Sequence, residues 1–259
     1  MSKPCCSNGW YQKDVPVGHP DFQRLFLCEC SLGQAIKQKR LAYAVSKTRM
    51  TPAQEAMTFA NFYPNQGITP KYPEPWDKDY LAERQRARLR RLQQAKGGLA
   101  GNLRRAKEIS HAYANDPHFF FTLLGEPGCG KTHLAAAIAN QCITNNITVC
   151  FAVVPDLLDA MRATFRKSNR GPSYEELLEA YRTVDLLILD DMGTQYETEW
   201  AAEKIYQIVN HRYNWHLAMV ITSNEIQAHL DLRLQSRLFD ARNEKFEILA
   251  GDYRLRRPA

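Results

Sequence analysis

From about residue 108 onward, short apolar runs alternate with stretches of helical periodicity. The runs "HFFFTLLG" (118–125), "ITVCFAVV" (147–154), "VDLLILDD" (184–191), "LAMVITSN" (217–224) and "KFEILAG" (245–251) are strand-sized and read as strands. Between them, "THLAAAIANQC" and "WAAEKIYQIVNHRY" read as helices. Strands buried on both faces and separated by helices predict an α/β fold, with a parallel sheet covered on either side. The first 107 residues read differently. Residues 1 to about 35 show little periodicity, and residues ~36–57 have a polar helical look. The stretch "TFANFYPNQGITPKYPEPWDKDY" (58–80) is rich in Pro and aromatics and reads as irregular. No repeat of solenoid length is present. Three segments follow from this: 1–57, 58–107 and 108–259.

Composition changes the picture in two places. No apolar run approaches the ~18 residues that span a bilayer, and "MSKPCCSNGW" lacks the apolar stretch of a signal peptide. The expected location is therefore cytoplasmic, away from membranes, and the seven cysteines are expected to be free thiols or metal ligands rather than disulfides. The net charge of +6 is concentrated: residues 84–107 contain nine Lys/Arg and no Asp/Glu, which leaves −3 for the rest of the chain. Such a local patch predicts contact with a polyanion.

The chemistry begins at "GEPGCGKTHL" (125–134). Gly125, Gly130, Lys131 and Thr132 fill the G-x-x-x-x-G-K-[ST] frame of a P-loop. Glycines let backbone N–H groups turn inward around phosphates, Lys131 is expected to reach the β- and γ-phosphates, and the Thr132 hydroxyl to ligate Mg²⁺. Glu126, Pro127, Gly128, Cys129 and His133 belong to the same nucleotide-binding stretch, with Cys129 read as a small filler. A P-loop calls for an acidic residue ending a neighbouring strand, and "LLILDDMG" supplies Asp190 for Mg²⁺ and Asp191 to polarise the attacking water. Many ATPases have Glu at that second position. The shorter Asp191 predicts slow, switch-like hydrolysis of ATP. Asn224 ends the next apolar run, where its amide could orient water or the γ-phosphate. Further on, "LDLRLQSRLFD" places Arg233 and Arg237 one helical turn apart, and Arg254 follows in "GDYR". One of these arginines is a candidate for a finger reaching a neighbouring subunit's γ-phosphate.

These stretches, in this order and at these separations, resemble the AAA+ ATPases of the DnaC/DnaI helicase-loader and IstB transposition-helper group, over roughly residues 108–259 and weakly back to "TFANF" (58–62). The resemblance implies a five-stranded parallel sheet in the order 5-1-4-3-2 with a truncated helical lid, and ATP sites at the interfaces of a homo-oligomer. It assigns Asn224 as sensor 1, Arg237 as the arginine finger with Arg233 nearby, and Arg254 as sensor 2, with Phe59 and Phe62 in a linker near the adenine.

Two further features lie upstream. Cys5, Cys6, His19, Cys28 and Cys30 are five candidate Zn²⁺ ligands within 30 residues, of which a tetrahedral site takes four. Reduced structural thiols are the other reading. The cluster resembles the zinc-binding N-terminal domain of DnaI-type loaders, which docks on the replicative helicase. In the Arg-rich stretch, Arg84, Arg88 and Arg91 share a helical face and Arg104 and Arg105 form a second cluster. All five are candidates for sequence-independent contact with a nucleic-acid backbone. The leading expectation is thus an ATP-dependent loader of a replicative DnaB-type helicase that touches single-stranded DNA. The alternatives are an IstB-like transposition helper that assembles on DNA, and, less well supported by the motifs, a small-molecule kinase.

Overall fold

The structure, a computed structural model, describes residues 9–17, 25–36, 50–66, 90–91, 94–165, 173–193, 198–224 and 232–255. Strands β1 (Trp10–Gln12) and β2 (Leu25–Leu27) pair antiparallel, with Trp10 opposite Leu27. The main body is a five-stranded parallel sheet of β3 (Phe120–Gly125), β4 (Val149–Val153), β5 (Leu186–Asp190), β6 (Ala218–Ser223) and β7 (Glu244–Ile248). Its spatial order is β4-β5-β6-β3-β7. Numbered within this sheet by chain order and read from the β7 edge, the strands run 5-1-4-3-2.

Helices α1 (Pro52–Glu55), α2 (Gly98–Asn115) and α3 (Lys131–Thr144) pack on one face. Helices α4 (Val154–Ala163), α5 (Tyr174–Thr183), α6 (Glu199–Asn214) and α7 (Leu232–Leu238) cover the other. The period-2 geometry of strands sorts the core between them. Phe121, Leu123, Phe151, Ile188 and Val220 pack toward α2 and α3, whereas Phe120, Cys150, Leu187, Leu189, Met219 and Ile221 pack toward α4–α7. Every residue of β5 and β6 is buried, which is why these runs carry no polar alternation.

The segment boundary expected at 108 falls inside α2. Met50, Phe59 and Phe62, far upstream, are buried in the α2/α3 core. Residues 58–66 are turns ending in a single 3-10 turn, Pro64–Gln66. At the β7 edge, Asn102 on α2 donates to the Glu247 carbonyl and accepts from the Leu249 N–H (3.0 and 2.9 Å), so a side-chain amide satisfies part of an open strand edge. Among the described residues, no helix is long and apolar enough to cross a membrane.

Candidate functional site: a phosphate-binding loop and its neighbours

β3 runs straight into residues 125–130, and α3 starts at Lys131 with Gly130 as its N-cap (φ +106). Gly128 has φ +70, and a Cβ there would stand 1.7 Å from Asp252 Oδ1. The loop therefore needs glycine both for its backbone angles and for the close approach of the chain after β7. That returning segment is held by the Tyr253 N–H, which donates to the Gly128 carbonyl at 3.0 Å. Lys131 is buried, and its Nζ donates to the carbonyls of Gly125 and Glu126 (3.0 and 2.8 Å). Cys129 is buried with its Sγ 3.9 Å from that ammonium.

Strand parity decides which polar groups meet this loop. Asp190 and Thr222 lie on the same faces of their strands as Ile188 and Val220, toward α3. The Thr132 hydroxyl, in the first turn of α3, donates to the Asp190 carboxylate at 3.0–3.1 Å. The Thr222 hydroxyl donates to Asp190 Oδ1 at 2.6 Å and accepts from the Asp191 N–H at 2.9 Å. Burial pushes the Asp190 pKa up, and the hydrogen bonds from Thr222 and Thr132 oppose it. Asp191 follows in a left-handed conformation (φ +59), with its side chain exposed. Asn224 comes directly after β6 and is half-buried. The β6 side chain that reaches Asp190 is Thr222, two residues earlier. Its hydroxyl lies near the end of the run "LAMVITSN", which as a whole reads as an apolar strand.

A cavity of about 390 Å³ opens beside the loop, lined by Gly128–His133 on one side, by Met57, Asn61, Phe62 and Tyr63 on another, and by Leu103, Ala250, Gly251, Tyr253 and Arg254. The structure therefore brings Phe62 and Arg254 to the same cavity as the loop. Phe59 is buried one layer away, its ring edge-on to His111 at 5.0 Å. His133 lines the cavity, yet its Nε2 turns to the Thr58 carbonyl and Asn61 Oδ1. Burial lowers its pKa. Arg237, on α7, donates from Nε to Asn210 Oδ1 (2.7 Å) and from a terminal nitrogen to the Arg233 carbonyl (2.8 Å). Arg233 and Arg237 both lie over the Tyr206 ring.

The other candidates fare unevenly. Cys5, Cys6, His19, Arg84 and Arg88 lie outside the described residues. Cys28 and Cys30 are half-buried, with Cys30 Sγ accepting from the Gly33 N–H at 3.5 Å. Among the described residues, no group of three or more His, Cys, Asp or Glu side chains is arranged to hold a metal. Arg91 pairs with Glu247 of β7, Arg105 with Glu108 (3.6 Å), and Arg104 reaches Asn65 Oδ1 (3.4 Å). These three cations thus have intrachain partners.

A family model described as IstB-like ATP binding protein matches residues 107–241, just over half of the chain. The replicative helicase loader DnaC of Escherichia coli strain K12 is 44% identical over 92 residues, 36% of this chain and 37% of that protein. The loader DnaC of Buchnera aphidicola subsp. Baizongia pistaciae is 35% identical over 136 residues, 52% of this chain and 54% of that protein. The matches thus span between about a third and about half of the length of these relatives. A crystal structure of DnaI is similar in fold, with a TM-score of 0.50 and 17% identity, over 79% of this chain and 94% of that one. With the loop, the buried acidic strand end and the sheet that joins them, the match over residues 107–241 shows that the chain belongs to the IstB-like ATP-binding protein family.

Proposed function

We propose that this chain binds and slowly hydrolyses ATP and helps deliver a replicative DnaB-type helicase to single-stranded DNA. The observation that carries the reading is the hydroxyl–carboxylate–hydroxyl chain Thr132–Asp190–Thr222 at the start of α3, in a protein similar to replicative helicase loaders. Thr132 and Asp190 offer hard oxygen donors at one point, a set that suits Mg²⁺. When bound, Mg²⁺ neutralises charge on the phosphate oxygens. Lys131 exchanges its two loop carbonyls for phosphate oxygens. The exposed Asp191 carboxylate is the candidate for polarising water, Asn224 orients it, and Arg254 reaches the phosphates from the cavity wall. Arg237, fixed by Asn210 and the α7 backbone, is the finger offered to a neighbouring copy.

Contact with single-stranded DNA has support on a second surface. Phe165, 63% exposed, stacks on Tyr174 (5.6 Å, 27°) and meets Trp200 edge-on. Arg162 lies over Trp200 at 4.9 Å and Lys204 over Tyr174 at 5.3 Å. Aromatic faces flanked by cations suit stacked bases and their phosphates.

Mixing the purified protein with its host's replicative helicase, with and without ATP, and sizing the products tests the reading. A stoichiometric complex that requires residues 1–35 supports the loader. The family match also favours a second reading, the transposition helper. Absence of that complex, together with ATP-dependent filaments on duplex DNA, would establish it instead.

A further inference from the structure

His133 and Asn140 lie seven residues apart on α3, two turns along one face. Both side chains reach the main chain of residues 54–61. Asn140 Nδ2 donates to the carbonyls of Gln54, Glu55 and Met57 at 3.2, 3.1 and 2.6 Å. His133 Nε2 stands 3.0 Å from the Thr58 carbonyl and 3.1 Å from Asn61 Oδ1. The orientation of the Asn61 amide is set by its other bonds: Oδ1 accepts from the Thr58 N–H at 2.8 Å, and Nδ2 donates to the Ala56 carbonyl at 2.7 Å. His133 Nε2 therefore faces two acceptors and must carry a proton. From α2, Lys107 Nζ adds a bond to the Phe62 carbonyl at 3.2 Å.

The segment held in this way is a wall of the nucleotide cavity, supplying Met57, Asn61 and Phe62. The Phe62 ring meets His133 edge-on at 5.3 Å, and a Cβ on Gly130 would stand 2.9 Å from it. The phosphate loop and this wall are thus in contact, but the loop is assembled from β3, α3 and the returning chain at Tyr253 without help from His133 Nε2 or Asn140.

We infer that His133 and Asn140 are positioning residues for the base half of the nucleotide, fixing the 57–62 wall against α3 before the nucleotide arrives. The inference rests on the ATP-binding reading above. A wall ordered in advance spares the bound state the entropy of ordering it, so the benefit falls only on a ligand that has a base to bury.

The test compares the affinities of ATP and of inorganic tripolyphosphate, both with Mg²⁺, for the full-length wild type and for His133→Ala, Asn140→Ala and His133→Gln. Expected is a roughly tenfold loss of ATP affinity in each alanine variant, the scale of one or two lost hydrogen bonds. Tripolyphosphate affinity stays unchanged, and His133→Gln, which retains a donor, recovers most of the loss. Equal losses for the two probes, or unchanged ATP affinity, overturn the inference. Should Asn140→Ala fail to fold, the comparison of His133→Ala with His133→Gln decides the matter alone. A wild type that binds neither probe instead overturns the nucleotide site itself, and this inference with it.

Discussion

The Thr222 hydroxyl lies 2.6 Å from Asp190 Oδ1 and also accepts the Asp191 N–H. One buried side chain on β6 thereby aims the carboxylate of β5 and fixes the backbone that presents the next one. Thr222→Val keeps the shape but leaves that N–H without its partner. A loss of about 1–3 kcal/mol in urea denaturation is expected. ATP turnover should fall by roughly tenfold to a hundredfold, with a smaller change in ATP affinity. Unchanged turnover would reduce Thr222 to a packing residue.

Asp190 should cost the empty protein stability. Its pKa is raised by burial, so the folded state holds its proton more tightly than the unfolded chain, and stability drops as pH rises through the carboxylate range. Asp190→Asn is therefore expected to melt higher than wild type at pH 7 without nucleotide. The advantage should disappear below about pH 4, where the unfolded carboxylate is also protonated. The same variant should lose Mg²⁺-dependent hydrolysis. Thermal melts at the two pH values, with an ATPase assay, check both halves.

Asp240 has the opposite sign. Hydrogen bonds from Arg242 (2.9 Å), Tyr213 (2.5 Å) and the Arg242 backbone hold its carboxyl well below the usual range. That stabilisation is present above the unfolded pKa and is lost as pH falls below it. Because Asp240 is 23% exposed and Arg242 is 41% exposed, the gain is modest. Asp240→Asn should cost about 1 kcal/mol at pH 7 and progressively less as the pH drops below about 4, read by denaturant titration at several pH values.

Gly128→Ala puts a Cβ against Asp252 in a left-handed backbone. The conformation alone costs roughly 1–2 kcal/mol, and the clash should displace the segment that carries Arg254. Nucleotide binding is expected to be lost. If the clash is the cause, adding Asp252→Ser restores part of it, whereas no recovery would assign the loss to the loop's backbone angles.

The phosphate loop was legible because its chemistry is local: eight consecutive residues encode backbone angles, a lysine and a hydroxyl. The inner strands were legible because the faces of this sheet are covered, which strips most polar positions from the runs; the edge strand β7 keeps Glu244, Lys245 and Glu247. Helix α2 was less so. Its start is masked by glycines, of which Gly97 caps it at φ +79 while Gly98 and Gly101 sit within it; of the basic residues read as polyanion contacts, Arg105 in this helix and Arg91 before it have partners within the chain.

The sequence by itself determined the P-loop, the acidic strand end and the alternation of strand and helix, since each depends on neighbours along the chain. Tertiary structure alone decided that Thr222 meets Asp190, because 32 residues separate them and only β5–β6 pairing sets their register. It likewise decided that His133 is turned to Thr58 and Asn61, more than 70 residues upstream. Contacts of that kind come from which elements share a face, and sheet order and helix packing fix this only after the chain has folded.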